Sequence, residues 1–258
     1  MPALPYLTVA FIIGACIGSF LNVCICRIPE SQSIVHPPSA CPKCKTPIRA
    51  YDNIPIISYI VLSGKCRSCA APISLRYPMV ELMTGLLAVA AMIRFGISLD
   101  FLIYFAFIAT LVVITYIDLD HQIIPDVISL PGIPIGLVAA FFADFVSLKD
   151  AAIGALVGGG ILFLVAWGYY FFTGKEGMGG GDIKLLAMIG AFTGWQGVFF
   201  TIFIAAATGT MIGITLMLFA KKNLKFAVPF GPFLSVGAMS YLFFGPELIF
   251  WYYHMAFR

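Results

Sequence analysis

Two acidic residues stand where an apolar run meets polar chain, a place where a carboxylate can do chemistry. Asp118 closes one run, in Thr115-Tyr-Ile-Asp118-Leu-Asp120-His121-Gln-Ile-Ile-Pro125-Asp126. Asp182 opens another, in Met178-Gly-Gly-Gly181-Asp182-Ile-Lys184-Leu-Leu. Ionisable groups inside membrane spans are costly and point to function by default. Two carboxylates brought close cannot both ionise comfortably, so one keeps a proton and the other is a base. The base draws a proton from a water held between them, and the water attacks a peptide carbonyl. The protonated partner polarises that carbonyl and later helps the amine leave. The glycines before Asp182 let a substrate backbone approach closely. Asp118 and Asp182 are 64 positions apart, so only packing of their helices can pair them. A plainer role is open to each neighbouring acid: helix N-cap for Asp126, which follows Pro125, and for Asp182, which precedes Ile183, and solvated loop for Asp120.

A second group is made of thiols. Cys41-Pro-Lys-Cys44 and Cys66-Arg-Ser-Cys69 are two C-x-x-C pairs separated by 21 residues. Four thiolates in two such knuckles fit a tetrahedral structural zinc site, with chance pairing or redox chemistry as the alternatives. Residues 27–77 form the one long polar stretch, small for a self-sufficient core, and a metal staple would help it fold. Cys16, Cys24 and Cys26 lie in or beside the first apolar run and are assigned no role, since Cys is commonly buried as a small apolar group. His36, His121 and His254 carry no ligand pattern.

The elements that position these groups are apolar helices. The chain has 258 residues, 61% hydrophobic and 10% charged, against roughly 25% charged in soluble domains. A net charge of +3 gives no argument for a nucleic-acid partner. A helix needs about 20 mostly apolar residues to cross the hydrocarbon core. Eight candidates occur, at about 4–25, 78–95, 99–117, 127–145, 151–173, 183–195, 197–220 and 229–253, the sixth being short. The first basic side chain, Arg27, follows the first run, so residues 4–26 read as a retained span and not as a cleaved signal. With the N-terminus outside, the inside loops hold Arg27, Lys43, Lys45, Arg49, Lys65, Arg67, Arg76, Lys175, Lys184, Lys221, Lys222 and Lys225, 12 of the 15 basic residues. Basic residues stay on the cytoplasmic side, which puts the cysteine loop and both aspartates there, in a reducing compartment where disulfides are not expected. No internal repeat and no low-complexity tract are expected. Gly154-x-x-x-Gly158 with Gly159 and Gly160 reads as close helix packing.

Taken in order, these segments resemble the bacterial type IV prepilin peptidases. Gly18-Ser-Phe-Leu-Asn-Val23 with Arg27-Ile-Pro29 is similar to the family's opening motif. The two cysteine knuckles flank Tyr51-Asp-Asn-Ile-Pro-Ile-Ile-Ser58, and Ile73-Ser-Leu-Arg76-Tyr-Pro78 and Glu81 follow. Then come the Asp118 segment ending in Ile-Pro-Asp126, Gly179-Gly-Gly181-Asp182 as the G-x-G-D signature, and Pro229-Phe-Gly-Pro-Phe233.

The resemblance implies an all-α integral membrane protein of about eight transmembrane helices, with a small zinc-binding cytoplasmic domain between helices 1 and 2. The implied division is 1–26 as first helix, 27–77 as a zinc loop associated with methyl transfer, and 78–258 as a membrane aspartyl protease. Asp118 and Asp182 are the implied catalytic pair, cutting between a Gly and usually a Phe at the cytoplasmic border of a prepilin or pseudopilin. N-methylation of the new N-terminus with S-adenosylmethionine is also implied, in the inner membrane. Asp52, Asn53, Arg76 and Glu81 are candidates for that second site by motif position alone, and no glycine-rich nucleotide loop supports it. Three competing readings are a cation or proton transporter using intramembrane aspartates, a zinc-loop adaptor without chemistry, and a presenilin-type G-x-G-D protease. A transporter would place its acids at mid-span and break helices in two halves, an adaptor leaves the glycines before Asp182 unexplained, and the cysteine loop weighs against the presenilin type.

Overall fold

The computed structural model describes residues 2–175, 178–220 and 229–256. Lys221, Lys222, Lys225 and Arg258, four of the residues behind the expected orientation, lie outside the described residues. Within them the regular structure is helical: α1 (Leu4–Arg27), α2 (Ile57–Val61), α3 (Arg76–Phe95), α4 (Leu99–His121), α5 (Asp126–Phe142), α6 (Leu148–Thr173), α7 (Gly180–Ala220) and α8 (Gly231–Ala256). A 3-10 turn spans Ala50–Asn53, and no β-strand occurs among the described residues.

Six of these helices are long and apolar enough to cross a membrane, and the chain is a multi-pass membrane protein. The 17-residue α5 is shorter and carries Pro131 and Pro134 inside it. The 41 residues of α7 would make a rod of about 60 Å if straight, twice the hydrocarbon thickness. The helix breaks at Gly194, whose φ of 72° and ψ of 178° lie outside helical space and where a side chain would be strained. The segments expected as the sixth and seventh spans are therefore the two parts of one broken helix, α7a (180–193) and α7b (195–220), joined without a loop, and α7a is shorter than the about 20 residues a crossing needs. Each has its own neighbours: Gly190 and Leu186 of α7a lie against Gly154 and Gly158 of α6, whereas Thr201 and Gly209 of α7b lie against Gly237 and Phe233 of α8.

The chain forms two compact units, Met1–Val113 and Ile114–Arg258. In the first, α1 and α3 run antiparallel with their backbones nearly touching. A Cβ on Gly14 would come 2.6 Å from the Ala88 Cβ, and one on Gly18 would come 2.8 Å from the Glu81 Cα. One turn further on, Asn22 Nδ2 donates to the carbonyls of Tyr77 and Gly18, both at 3.2 Å. In the second unit α6 meets α7a through the glycine stripe seen in the sequence. A Cβ on Gly158 would sit 2.5 Å from the Leu186 carbonyl oxygen, and one on Gly154 would overlap the Gly190 carbonyl. Close packing thus accounts for Gly154 and Gly158. Gly160 differs, since a Cβ there would meet nothing within 4 Å.

That contrast is testable. Gly154→Leu should lower the thermal unfolding midpoint in detergent, by an overpacking cost of about 1–3 kcal/mol. Gly160→Leu, with the same gain in helix propensity, should leave the midpoint unchanged or raise it.

Candidate active site and metal centre

The α4 helix runs four residues past the expected end of its span, so Asp118 lies inside its last turn and not beyond it. Gln122 then adopts a left-handed φ of 54°, its N–H closes on the Asp118 carbonyl at 2.9 Å, and Pro125 prevents the helix from resuming. Asp118 is 5% exposed, and a buried carboxylate needs a donor. The donor is the Gly231 N–H at the start of α8, 2.9 Å from Asp118 Oδ2. The first N–H groups of a helix have no partner within it, and here one of them is aimed at a carboxylate. Only glycine fits, since a Cβ on residue 231 would stand 2.6 Å from Asp118 Oδ2.

Ile124 draws the remaining piece in. A Cβ on Gly181 would lie 2.9 Å from the Ile124 Cβ, and one on Gly231 would lie 3.4 Å from the Ile124 Cδ1. The end of α4, the start of α7a and the start of α8 therefore converge on this side chain. Asp182 sits in the first turn of α7a, partly exposed, and lies within electrostatic reach of Asp118. The two acids are brought together by packing. A buried carboxylate held by one amide, facing a second that meets solvent, can hold a proton on one side and accept one on the other.

Three plainer readings are corrected by the geometry. The helix beginning at Gly180 places Asp182 two residues inside its start, not at the N-cap. Asp126 is likewise the first residue of α5, with Pro125 at the N-cap. Its carboxylate binds Lys184 Nζ at 2.7 and 2.8 Å, an exposed pair of the kind worth about 0–1 kcal/mol, which ties α5 to α7a. Asp120 lies in the last turn of α4, exposed, and not in a loop. The sequence reading missed the Gly231 amide and the Lys184 pair. Their signals were Pro229-Phe-Gly-Pro-Phe233 and the i+2 spacing of Lys184 from Asp182, neither of which names a partner.

The four cysteines 41, 44, 66 and 69 form one group whose sulfur atoms lie within 4.8 Å of one another. Cys41 and Cys69 are 3.8 Å apart, and Cys44 and Cys66 3.9 Å. Tetrahedral coordination with bonds of about 2.3 Å sets sulfur atoms about 3.8 Å apart, so the group has the right size for zinc. Each pair sits in the same fold. Cys41 N–H donates to the Thr46 carbonyl, Lys45 N–H to Cys41 and Ile48 N–H to Ser39. Cys66 N–H donates to Ala71, Ala70 N–H to Cys66 and Ile73 N–H to Gly64. Lys45 and Ala70 both take positive φ, 59° and 53°, and the bridges Ala40 to Pro47 and Lys65 to Pro72 match. Every position recurs 25 residues later. This is an internal repeat where none was expected, legible as Cys41-x-x-Cys44-x-x-Pro47-Ile48 and Cys66-x-x-Cys69-x-x-Pro72-Ile73. Hydrogen bonds from the Thr46 hydroxyl and amide pull the Cys44 thiol down to about 6, and the Cys69 and Ser68 amides hold Cys66 low as well, whereas Cys69, despite the Ala71 amide, is pushed up to about 11 by desolvation and the neighbouring thiols. Thiolates are the metal-binding form.

The other candidate residues serve different partners. Asp52 takes Arg67, the residue after Cys66, at 2.6 to 3.0 Å. Arg49 and Arg67 flank the Tyr51 ring, 5.8 and 5.5 Å from its centre. Asp52 therefore braces the second knuckle, and Arg67 holds its carboxyl below the usual range. Glu81, 8% exposed, accepts the Ile56 N–H at 2.7 Å. Arg76 is the first residue of α3, and Asn53 ends the 3-10 turn on the surface.

Converging acids in a helical membrane body, with a four-thiol loop in its first part, define a class, and comparison identifies the family. Residues 12–95 match the bacterial peptidase A24 N-terminal domain and residues 105–214 the type IV leader peptidase family. The chain is 38% identical to the prepilin leader peptidase/N-methyltransferase of Aeromonas hydrophila over 96% of its length and 93% of the relative's. Identity to the proteins of the same name is 36% in Pseudomonas putida, covering 94% and 92% of the two chains. In Pseudomonas aeruginosa it is 38%, covering 96% of each. No solved structure matches the chain. The chain belongs to the type IV leader peptidase family.

The thiol geometry carries a prediction of its own. Chain purified without chelator should hold about one metal ion by elemental analysis, and Cys41→Ser with Cys66→Ser should hold none. Because the two knuckles repeat one fold, Cys44→Ser and Cys69→Ser should lower the thermal midpoint by similar amounts.

Proposed function

We propose that this chain cleaves the basic leader from type IV prepilins or pseudopilins and methylates the new N-terminal amine. The observation that carries the reading is the buried Asp118, held by the Gly231 amide beside Asp182, in a chain alike over nearly its whole length to proteins of that double name. Asp182, at the exposed helix start, is the base that takes a proton from water. Asp118, shielded in its apolar helix, holds the proton that polarises the scissile carbonyl and passes to the leaving amine. Gly179 and Gly180 are exposed, and a Cβ on Gly180 would meet nothing within 4 Å, leaving the open face an extended substrate backbone needs. The bond cut lies between a Gly and usually a Phe, at the cytoplasmic border of the inner membrane, in agreement with the distribution of basic residues.

Residues 27–77 form the methyltransferase-associated zinc loop on the same side, with Cys41, Cys44, Cys66 and Cys69 as ligands, and residues 78–258 carry the protease. S-adenosylmethionine supplies an electrophilic methyl: the freed amine takes it, the carbon–sulfur bonding pair stays on sulfur, and one proton leaves. A transporter gains no support, since the acids gather at helix ends and not at mid-span.

Asp118→Asn keeps an oxygen for the Gly231 N–H but cannot share a proton as a carboxyl does. It should fold and hold metal as the parent does, while cleavage of a prepilin in detergent, followed by mass spectrometry, falls by at least about 100-fold. Asp182→Asn should do the same. Near-parental cleavage by Asp118→Asn would remove Asp118 from the mechanism.

A further inference from the structure

Two activities need two sites, and the aspartates account for one. The family match also has two parts: residues 12–95 form a region separate from the peptidase region 105–214. Within the first unit two cavities stand out. The larger, about 470 Å³, is lined by Met79, Leu82, Met83, Leu86, Leu87 and Ala90 of α3 alone. Such a wall offers nothing to a charged ligand. The other, about 270 Å³, lies between the last three turns of α1 and the loop segment 34–39, with Asn53 at its edge. Small-molecule sites run from roughly 300 Å³ upward, so this open groove is near the size of one.

Its lining on α1 is Cys16, Ser19, Phe20, Val23 and Arg27. These are positions i, i+3, i+4, i+7 and i+11, a single stripe down one helix face. Arg27 and Phe20 are seven residues apart, about 10 Å along the helix axis. The groove thus offers a guanidinium at one end and an aromatic ring further along. Ser19 adds a hydroxyl that hydrogen-bonds the Glu81 carboxylate behind it. That carboxylate also holds the Ile56 N–H at 2.7 Å, with Ile56 at a φ of 62°. A β-branched residue is rarely found there, and such strain gathers at functional sites.

Resting on the methyltransferase reading above, we propose that this groove between α1 and residues 34–39 binds the methyl donor, S-adenosylmethionine. Its chemistry matches end to end. Arg27 Nη1 already donates to the Ser33 carbonyl at 2.9 Å, and the donor's carboxylate meets the remaining N–H groups of that guanidinium in a charge-assisted pair. Its adenine stacks on Phe20, and the Asn53 side-chain amide has both a donor and acceptors for the polar edge of the base. Its sulfonium and amino charges pass Ser19, which lines the groove in front of the buried Glu81 carboxyl, an acid that favours a nearby cation when ionised.

The test is equilibrium binding to the metal-loaded full chain in detergent, by titration calorimetry with S-adenosylmethionine and with S-adenosylhomocysteine, which lacks the sulfonium charge. Phe20 is half exposed, so Phe20→Ala leaves no core void. It and Arg27→Gln should each weaken S-adenosylmethionine binding by 10-fold or more while prepilin cleavage continues. Glu81→Gln should narrow the preference for S-adenosylmethionine over S-adenosylhomocysteine, a ratio that general loosening of the fold does not change. Unchanged affinity in Phe20→Ala and Arg27→Gln, with the parent still binding and methylating, would overturn the groove assignment alone. A parent chain that cleaves but neither binds the donor nor methylates would overturn the methyltransferase reading, and the assignment with it.

Discussion

A carboxylate inside an apolar helix has to be given a hydrogen-bond donor, and everything around Asp118 follows from how that donor is delivered. The donor is a main-chain amide at the first turn of another helix. Such an amide is unsatisfied by its own helix and carries part of the helix dipole's positive end. Delivering it to 2.9 Å requires a residue without a Cβ, and residue 231 is glycine. It also requires α4 to stop just after Asp118, which the left-handed Gln122 and Pro125 accomplish. Ile124 then fills the space against Gly181 and fixes where α7a begins. The position of Asp182 is a consequence of that fit.

The four-thiol group rests on a different device. Neither knuckle has a strand ladder or a core to hold it. Each is a short turn of main-chain bonds that presents two sulfurs, and the pair is made by repeating the turn 25 residues later. The ion pair of Asp52 with Arg67, under the Tyr51 ring, ties the 3-10 turn between the knuckles to the second of them. The sulfur spacing is therefore set by folding, and binding a metal would need little further movement of the thiols.

The spans and the cysteine group were legible in the sequence because each rests on a local rule: run length for the helices, C-x-x-C for the knuckles. The knuckle repeat was also there to be read, but only two cysteines, one proline and one isoleucine recur in each copy, and the rest of the turn is main-chain geometry that sequence does not spell. The partners of the acids were not legible. Asp126 and Asp182 both stand near a helix start, where capping is the default expectation, yet one binds Lys184 and the other faces Asp118. What separates them is tertiary packing across 58 and 64 positions, which no spacing rule reaches. Gly194 was equally silent: one glycine among 25, distinguished only because 41 helical residues exceed what one crossing can use.

The acids divide by the kind of partner they take. Asp52 and Asp126 are ion-paired, to Arg67 and Lys184. A guanidinium or ammonium at that distance favours the ionised carboxyl and holds it so. Asp118 and Glu81 are instead anchored by amides, from Gly231 and Ile56. An amide fixes the position of one oxygen without supplying a full countercharge, and the Ser19 hydroxyl adds a second bond to Glu81. The same solution occurs in each compact unit, in α4 and in α3, and in the first unit it is upheld against the unfavourable φ of Ile56, of order 1–3 kcal/mol. A purely structural acid needs only a cation beside it. Holding a carboxyl in place without a cation beside it is what acid–base and cation-binding chemistry require, and Asp118 and Glu81 are the two buried acids held in that way among the described residues.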